Sequence, residues 1–462
     1  ILAQVRSISA TRQRHPYSAA LPRAAWRPPS PPAVHAACLS AMTPALSPRK
    51  PRPVLTGAPP GPQGECCVCV VSRFRPPITD EERRDAPAFR VLPGGRAVEA
   101  CDGAHCFELD RAFSEASSQD AVYDVAGRPA VEAVLGGYNG TVMAYGQTGG
   151  GKTHSMFGVG PLAAAPTAGT AAGPAQQPED LGIVPRAARQ LFQHMAASAE
   201  DNAEFALRCS FLEVHREQMR DLLSPTGQKL SVKELPQRGL FVDGLSREHA
   251  TSASEVLSFL RSGSRLRAVA RTKQNANSSR SHAVFALHLE QRSIGGTERL
   301  GKLTLVDLAG SEKASRSGCA GESLEEAKKI NWSLSALGKV IDALAEQRPH
   351  VPYRDSQLTR VLEEALGGNC RTTLLVASSP CAQHYEETLS ALRFAARAKK
   401  VRNHARVNYV YSCEQLVSLV AQLHEELAAA RRQLARAGPP PRVGARAQSP
   451  EADTRLGPSG SA

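Results

Sequence analysis

Gly146-Gln147-Thr148-Gly149-Gly150-Gly151-Lys152-Thr153 fits G-x-x-x-x-G-K-[ST] with no mismatch. The chemistry is phosphate binding. Glycines let backbone N–H groups turn inward and form a nest for phosphate oxygens. Lys152 then reaches the β- and γ-phosphates, and the Thr153 hydroxyl ligates Mg²⁺. A helix beginning at Lys152 aims its positive dipole end at the same phosphates. A second stretch, Leu303-Thr304-Leu305-Val306-Asp307, is apolar and ends in an acid, and Leu308-Ala309-Gly310-Ser311-Glu312 follows it. A carboxylate at the end of a buried strand is where phosphoryl-transfer enzymes hold Mg²⁺, usually through water. Gly310 lets its N–H approach a γ-phosphate, because no side chain blocks the way. A third stretch, Asn275-Ala276-Asn277-Ser278-Ser279-Arg280-Ser281-His282, gathers small hydroxyls and one Arg. Hydroxyls suit Mg²⁺ and γ-phosphate contacts, and an Arg suits a bidentate pair with a carboxylate. Read alone, such a run is an ordinary loop. Read with the other two, it completes a nucleotide sensor.

These residues need elements to hold them. Tyr138 to Tyr145 is short, apolar and β-prone after its Asn-Gly turn, and is the expected strand feeding the phosphate loop. Ala283 to Leu287 and Leu303 to Asp307 are expected strands, and Glu322 to Glu346 an expected helix. Strand signals alternating with helical stretches give an α/β layered fold. The chain has 462 residues, enough for one domain of about 350 residues with tails. Its formal net charge of +12 is uneven: residues 1–64 carry eight Lys/Arg and no acid. The remainder is nearly balanced, so attraction to an acidic partner must come from a local patch. No apolar run approaches the ~20 residues a membrane span needs.

The order GQTxxGKT, NxxSSRSH, DLAGSE resembles the motor domain of kinesins. Further blocks agree in sequence: Arg73-Phe74-Arg75-Pro76, Gly137 to Thr141, Ile330 to Leu337, Val351 to Ser356, and Leu366-Gly367-Gly368-Asn369. The resemblance runs from about Cys66 to Tyr411. It implies a P-loop NTPase α/β fold, a central mostly β-sheet with helices on both faces, and ATP with Mg²⁺ as cofactors. It implies that Arg73, Pro76 and His154 border the adenine, and that Gly146 to Thr153 cradle the phosphates. Thr153 and Ser279 would touch Mg²⁺, with Asp307 holding it through water. Asn275 belongs to the same switch segment. Ser278, Ser279 and Gly310 would sense the γ-phosphate, and Arg280 and Glu312 would pair when the switches close. The implied partner is the microtubule, met by Lys313, Lys328, Arg354 and Arg360, which places the protein in the cytoplasm on the cytoskeleton. Trp332 and Gln357 stand where the family often has Lys, which would weaken track affinity unless the aromatic adds an apolar contact.

The resemblance divides the chain into a motor domain at 65–400, a neck linker at 401–412 with Asn408 as its latch, a heptad helix at 413–437 and a disordered tail at 438–462. A linker after the core is typical of plus-end-directed kinesins. Leu416, Val420, Leu423, Leu427, Ala430 and Leu434 form a seam of about three heptads. It could begin a homodimer through 416–434, or a single helix packed on the motor. Residues 1–64 read as a disordered basic Pro/Ala/Arg-rich arm or a transit peptide, with Met42 the expected start of translation and 1–41 upstream sequence. Gly158 to Asp180 is an Ala/Gly/Pro insertion, expected to be mobile. Cys66-x-x-Cys69 lacks a second pair or nearby His and reads as strand filling; free thiols fit a reducing cytosol. Nothing points to nucleic acid, and no cargo is legible. Two other classes fit less well: a P-loop switch that does not move on a track would lack the YRDS and LGGN blocks, and a non-motile microtubule binder would show a broken sensor motif.

Overall fold

The computed structural model describes residues 64–159, 181–198, 203–224, 228–235, 239–272, 280–292, 298–312, 322–411 and 413–437, with the backbone alone at 269–272, 322–330, 413 and 435–437. The arm before residue 64, most of the 158–180 insertion and the tail from 438 lie outside the described residues.

Strand Asn139–Tyr145 is buried on both faces, and its side chains sort by parity. Val142 and Ala144 enter one core, and Met143 and Tyr145 enter the other. Alternate residues of a strand point to opposite sides, so a strand covered by helices twice over must be apolar at every position. Leu303 and Leu305 against Val306 repeat the arrangement. One face is covered by helices Gln119–Ala126, Arg128–Leu135, Ile183–Ala197 and Ala253–Thr272. The other is covered by Glu322–Ala345, Gln357–Val361 and Tyr385–Ala398. The helical segments carry the matching stripe: Ile183, Val184, Ala187, Ala188 and Leu191 are buried at helical spacing. Ser118 starts its helix by accepting the Ala121 N–H.

Along its main path the sheet runs Glu248–Ala250, Glu204–His215, His282–Arg292, Glu298–Asp307, Asn139–Tyr145, Arg371–Ser378, Cys69–Phe74, Arg111–Phe113. Asn139–Tyr145 lies parallel to both neighbours, and Arg371–Ser378 lies parallel to Cys69–Phe74. Four carboxyl ends therefore meet at one edge: Phe74, Tyr145, Asp307 and Ser378. In open α/β sheets ligands bind outside that edge. The Asp307–Ala144 register sets the acid one residue short of the strand end that feeds the phosphate loop.

After helix Tyr385–Ala398 the chain returns to the sheet. Arg402–Ala405 pairs antiparallel with Gly64–Cys67, and Asn408–Val410 with Glu298–Leu300. Asn408 is held from several sides. Its Nδ2 donates to Gly137 O, Asn139 Oδ1 and Leu300 O at 3.0–3.1 Å, and its Oδ1 accepts from Asn369 Nδ2 at 2.8 Å. The Arg299 guanidinium lies 5.8 Å over the Tyr409 ring. Helix Cys413–Ala437 follows, and its seam residues Val420, Leu423, Leu427 and Leu434 are exposed rather than packed on the motor. No helix among the described residues is long and apolar enough to cross a membrane.

Candidate functional site

A cleft of about 410 Å³ opens at the carboxyl edge of the sheet. Arg75, Pro76 and Ile78 form one wall; the phosphate loop, His154, Asp307 and Leu308 form the rest. The loop is pressed against the neighbouring strand. Gly146 has φ +137°, and a Cβ there would overlap the Ala377 carbonyl oxygen; one at Gly150 would lie 2.6 Å from the same atom. Gly151, also left-handed, precedes helix Lys152–Phe157. Lys152 is buried and donates to the Gly146 and Gln147 carbonyls at 2.8 Å each. Burial pushes its pKa below the ordinary value, against the opposing pull of Asp307 and Glu312. A buried ammonium whose hydrogen bonds among the described residues go to neutral carbonyls is poised for an anionic ligand.

The 307–312 segment is pinned to this loop. Thr153 Oγ1 donates to Asp307 Oδ2 at 2.8 Å, and the Ser311 N–H donates to Gly146 O at 3.1 Å. The Thr148 N–H donates to Glu312 Oε2 at 2.8 Å, and the Thr148 hydroxyl to Glu312 Oε1. Gly310 sits inside this clasp, where a Cβ would overlap the Thr148 hydroxyl and the Glu312 carboxylate. Asp307 Oδ1 is buried and has no hydrogen-bond partner among the described residues. An orphaned carboxylate oxygen beside a threonine hydroxyl is a hard-oxygen donor set, and it fits Mg²⁺.

The adenine wall differs from expectation. Arg73 is buried and turned inward: Nη1 donates to Gln119 Oε1 at 2.8 Å and to Ser155 Oγ at 3.0 Å. Gln119 Nε2 in turn meets His154 Nε2 at 3.1 Å and His154 O at 2.9 Å. Arg73 thus props His154 at one remove, and the arginine at the cleft is Arg75. Pro76 and His154 both line the cleft. Arg280 is described and half-buried; Asn275, Ser278 and Ser279 lie outside the described residues.

One residue of the SSRSH block acquires a part its type alone did not suggest. His282 is buried; its Nδ1 accepts the Ala309 N–H at 3.1 Å, so its Nε2 carries the proton shared with Ser333 Oγ at 2.8 Å. Burial first, then Arg267, pushes its pKa down to about 3, so the ring is neutral. It joins the segment after Asp307 to helix Glu322–Ala345. Arg267 was also not foreseen: it donates to Ser281 Oγ and O at 3.1 and 2.8 Å and lies 3.9 Å from Asp307. One Arg among the four of helix Ala253–Thr272 gives no local signal of such a place.

On the face that carries Ser333's helix, the basic residues expected at the track divide. Arg354 is exposed. Arg360 is only 16% exposed and sits between Glu234, at 2.8 Å, and Glu363. Its charge is compensated within the chain, which removes it from the free basic patch. Lys313 and the Lys328 side chain lie outside the described residues. Trp332 is 48% exposed; its Nε1 donates to Asp355 O at 3.0 Å, and Lys339 lies 5.0 Å over its ring. Gln357 opens a short helix capped by Ser356, and its N–H donates to Glu217 Oε2 at 2.6 Å.

A family model for the kinesin motor domain matches residues 73–401. A kinesin heavy chain of Neurospora crassa is 41% identical over 364 residues, 78% of this chain and 38% of that protein. The human kinesin heavy chain isoform 5A is 42% identical over 353 residues, 76% of this chain and 32% of that protein. The chain therefore spans well under half the length of these relatives. The solved structure of a fast kinesin superposes with a TM-score of 0.68 at 42% identity, covering 75% of this chain and 95% of that one.

Proposed function

Since the chain belongs to the kinesin motor-domain family, we propose that it is an ATP-hydrolysing, microtubule-stimulated motor, plus-end directed, working in the cytoplasm on the microtubule cytoskeleton. One observation carries the reading: hydrogen bonds run from Thr153 to Asp307 and from Ala309 through His282 to Ser333 on helix Glu322–Ala345, and the backbone from Asp307 to Ala309 joins the two runs. A change at the γ-phosphate end therefore has a physical route to the surface expected to meet the track.

Lys152 leaves the loop carbonyls for the β- and γ-phosphates, and the nest around Gly146–Gly151 orients them. Thr153, Asp307 and Ser279 are the residues that would hold Mg²⁺, which supplies charge neutralisation on the phosphate oxygens when bound. Gly310, with Ser278 and Ser279, senses the γ-phosphate. Glu312 exchanges its bonds with Thr148 for Arg280 as the two switch segments, Asn275 included, close. That exchange orders the attacking water and gives its proton an acceptor. Loss of the γ-phosphate restores the Thr148 clasp and frees helix Glu322–Ala345 to shift. Residues 401–412 act as the neck linker, latched by Asn408. Two copies associate through 416–434, whose apolar seam is exposed.

The test is steady-state ATP hydrolysis by the full chain, with and without microtubules, in low and moderate salt. Stimulation that fades with salt is expected. Turnover that microtubules do not change would overturn the motor reading.

A further inference from the structure

Arg75 reaches the cleft with its hydrogen bonds already committed. Its Nε donates to Gly149 O at 2.7 Å and its Nη1 to Pro76 O at 2.9 Å. The same Nη1 donates to Glu82 Oε2 at 2.6 Å, and Nη2 to Glu82 Oε1 at 2.5 Å. A guanidinium has five donors, all in its plane. With four in use, Arg75 has one Nη2 N–H and its flat cationic face left for a ligand, and the face is suited to a planar aromatic ring.

Glu82 holds this arrangement from below. It is 4% exposed, although it sits in the short, polar helix Asp80–Arg84. Besides the two Arg75 bonds it accepts the Ile78 N–H at 2.6 Å, and His384 Nε2 lies 3.0 Å from Oε1. One carboxylate thus ties together two lining residues of the cleft and the loop ahead of helix Tyr385–Ala398. The Arg75 hydrogen bonds, joined by those from Ile78 and His384, hold its pKa well below the usual carboxylate range. Burying a carboxylate costs several kcal/mol unless such partners are supplied. Thr79 caps this helix by accepting the Glu82 N–H, and Glu82 reaches back to the Ile78 N–H much as a capping-box glutamate does, but that local role needs neither its burial nor its bonds to Arg75.

We propose that Glu82 is a positioning residue for nucleotide binding: it fixes Arg75 and Ile78 as the wall against which the nucleotide's base lies. The inference rests on the nucleotide-binding reading of the cleft. Glu82 touches no ligand; it acts through Arg75, which without it would be free to swing toward the phosphates or solvent.

The experiment compares the full wild-type chain with Glu82→Gln, which keeps the shape and removes the charge. Two probes are used: a ribose-labelled fluorescent ADP, followed in binding and dissociation, and inorganic tripolyphosphate as its competitor. Glu82→Gln is expected to weaken the labelled ADP about tenfold, mainly through faster dissociation, as loss of charge-assisted bonds entails. Competition by tripolyphosphate, which has no base, is expected to stay within twofold. His384→Gln, at the edge of the same cluster, is expected to speed ADP dissociation two- to threefold, and serves where Glu82→Gln does not fold. Equal ADP dissociation in the variants and wild type would overturn the proposal. So would equal weakening of ADP and tripolyphosphate, which marks a general loss of structure. A wild-type chain that holds no nucleotide would overturn the functional reading, and this inference with it.

Discussion

Between Gly146 and Thr153 the chain is held on every side. The loop backbone abuts Ala377, Lys152 is buried against two carbonyls, and Thr148 and Thr153 are bonded to Glu312 and Asp307. Between Cys413 and Ala437 the opposite holds. The helix is regular, yet Val420, Leu423, Leu427 and Leu434 stand exposed at 45–79%. The first region is fixed by contacts within one chain. The second has satisfied its backbone but not its apolar face, and its energetics depend on what covers that face. Residue types therefore define a role in the first region. In the second they define a periodicity and leave the partner open.

The sharpest break between the two is Lys152→Ala. It should lower ATP hydrolysis by about 10²–10³-fold or more, as removal of a preorganised charge contact does, while the thermal midpoint holds or rises because a desolvated ammonium is gone. Turnover near wild type would remove the loop from the chemistry. Next in size is the acid limb of stability. His282 titrates at about 3 in the fold against 6.5 for the free side chain. Unfolded chains take up that proton below about pH 6.5 and folded ones do not, so stability is full above 6.5 and falls as pH drops toward 3, by about 1.4 kcal/mol per pH unit from this group. Glu82 pulls the same way in wild type and variant alike. Urea midpoints between pH 4 and 7 should thus fall less steeply for His282→Gln; parallel curves would refute the buried neutral ring.

Asn408→Ala tests the strand that links the two regions. Losing its side-chain bonds should cost about 1–3 kcal/mol, read as faster amide exchange at Asn408–Val410, with the core amides of Asn139–Tyr145 unchanged. Uniform exchange would mean that Arg299 and the ladder suffice without the asparagine. The smallest effect is expected at the seam. Leu423→Ser with Leu427→Ser should move the unfolding free energy by no more than about 0.5 kcal/mol, as surface substitutions do, yet lower the sedimentation-derived mass if two copies meet there. A large loss of monomer stability would mean that the helix is packed after all.

The phosphate loop, its strand, the Asp307 segment and the helix from Glu322 were legible because each is local: the chemistry lies in consecutive residues, and burial on both faces forces unbroken apolar strands. The helix Cys413–Ala437 answers to the apolar spacing of 416–434 for the same reason, whereas the pairing of Arg402–Ala405 with Gly64–Cys67 and of Asn408–Val410 with Glu298–Leu300 was not legible. Sequence distance hid the rest. Arg360 reads as a free cation until the hairpin bearing Glu234 is folded beside it. Glu82 reads as one acid among several in a short polar helix until Arg75, Ile78 and His384 converge on it.

Arg73 and Arg75 separate most clearly what each level decides. The sequence itself determined that two arginines precede Pro76, and its resemblance to the kinesin motor implied that Arg73 borders the adenine. Nothing in its local pattern set Arg73 apart from Arg75. Two residues apart on a strand point the same way, so both should face one side. Only the tertiary structure ends the strand at Phe74, offers Arg73 the buried acceptors Gln119 and Ser155, and leaves Arg75 beyond the ladder to turn toward Gly149 and Glu82. A guanidinium goes where its donors are satisfied at least desolvation cost, and those acceptors come from segments that no local pattern brings together.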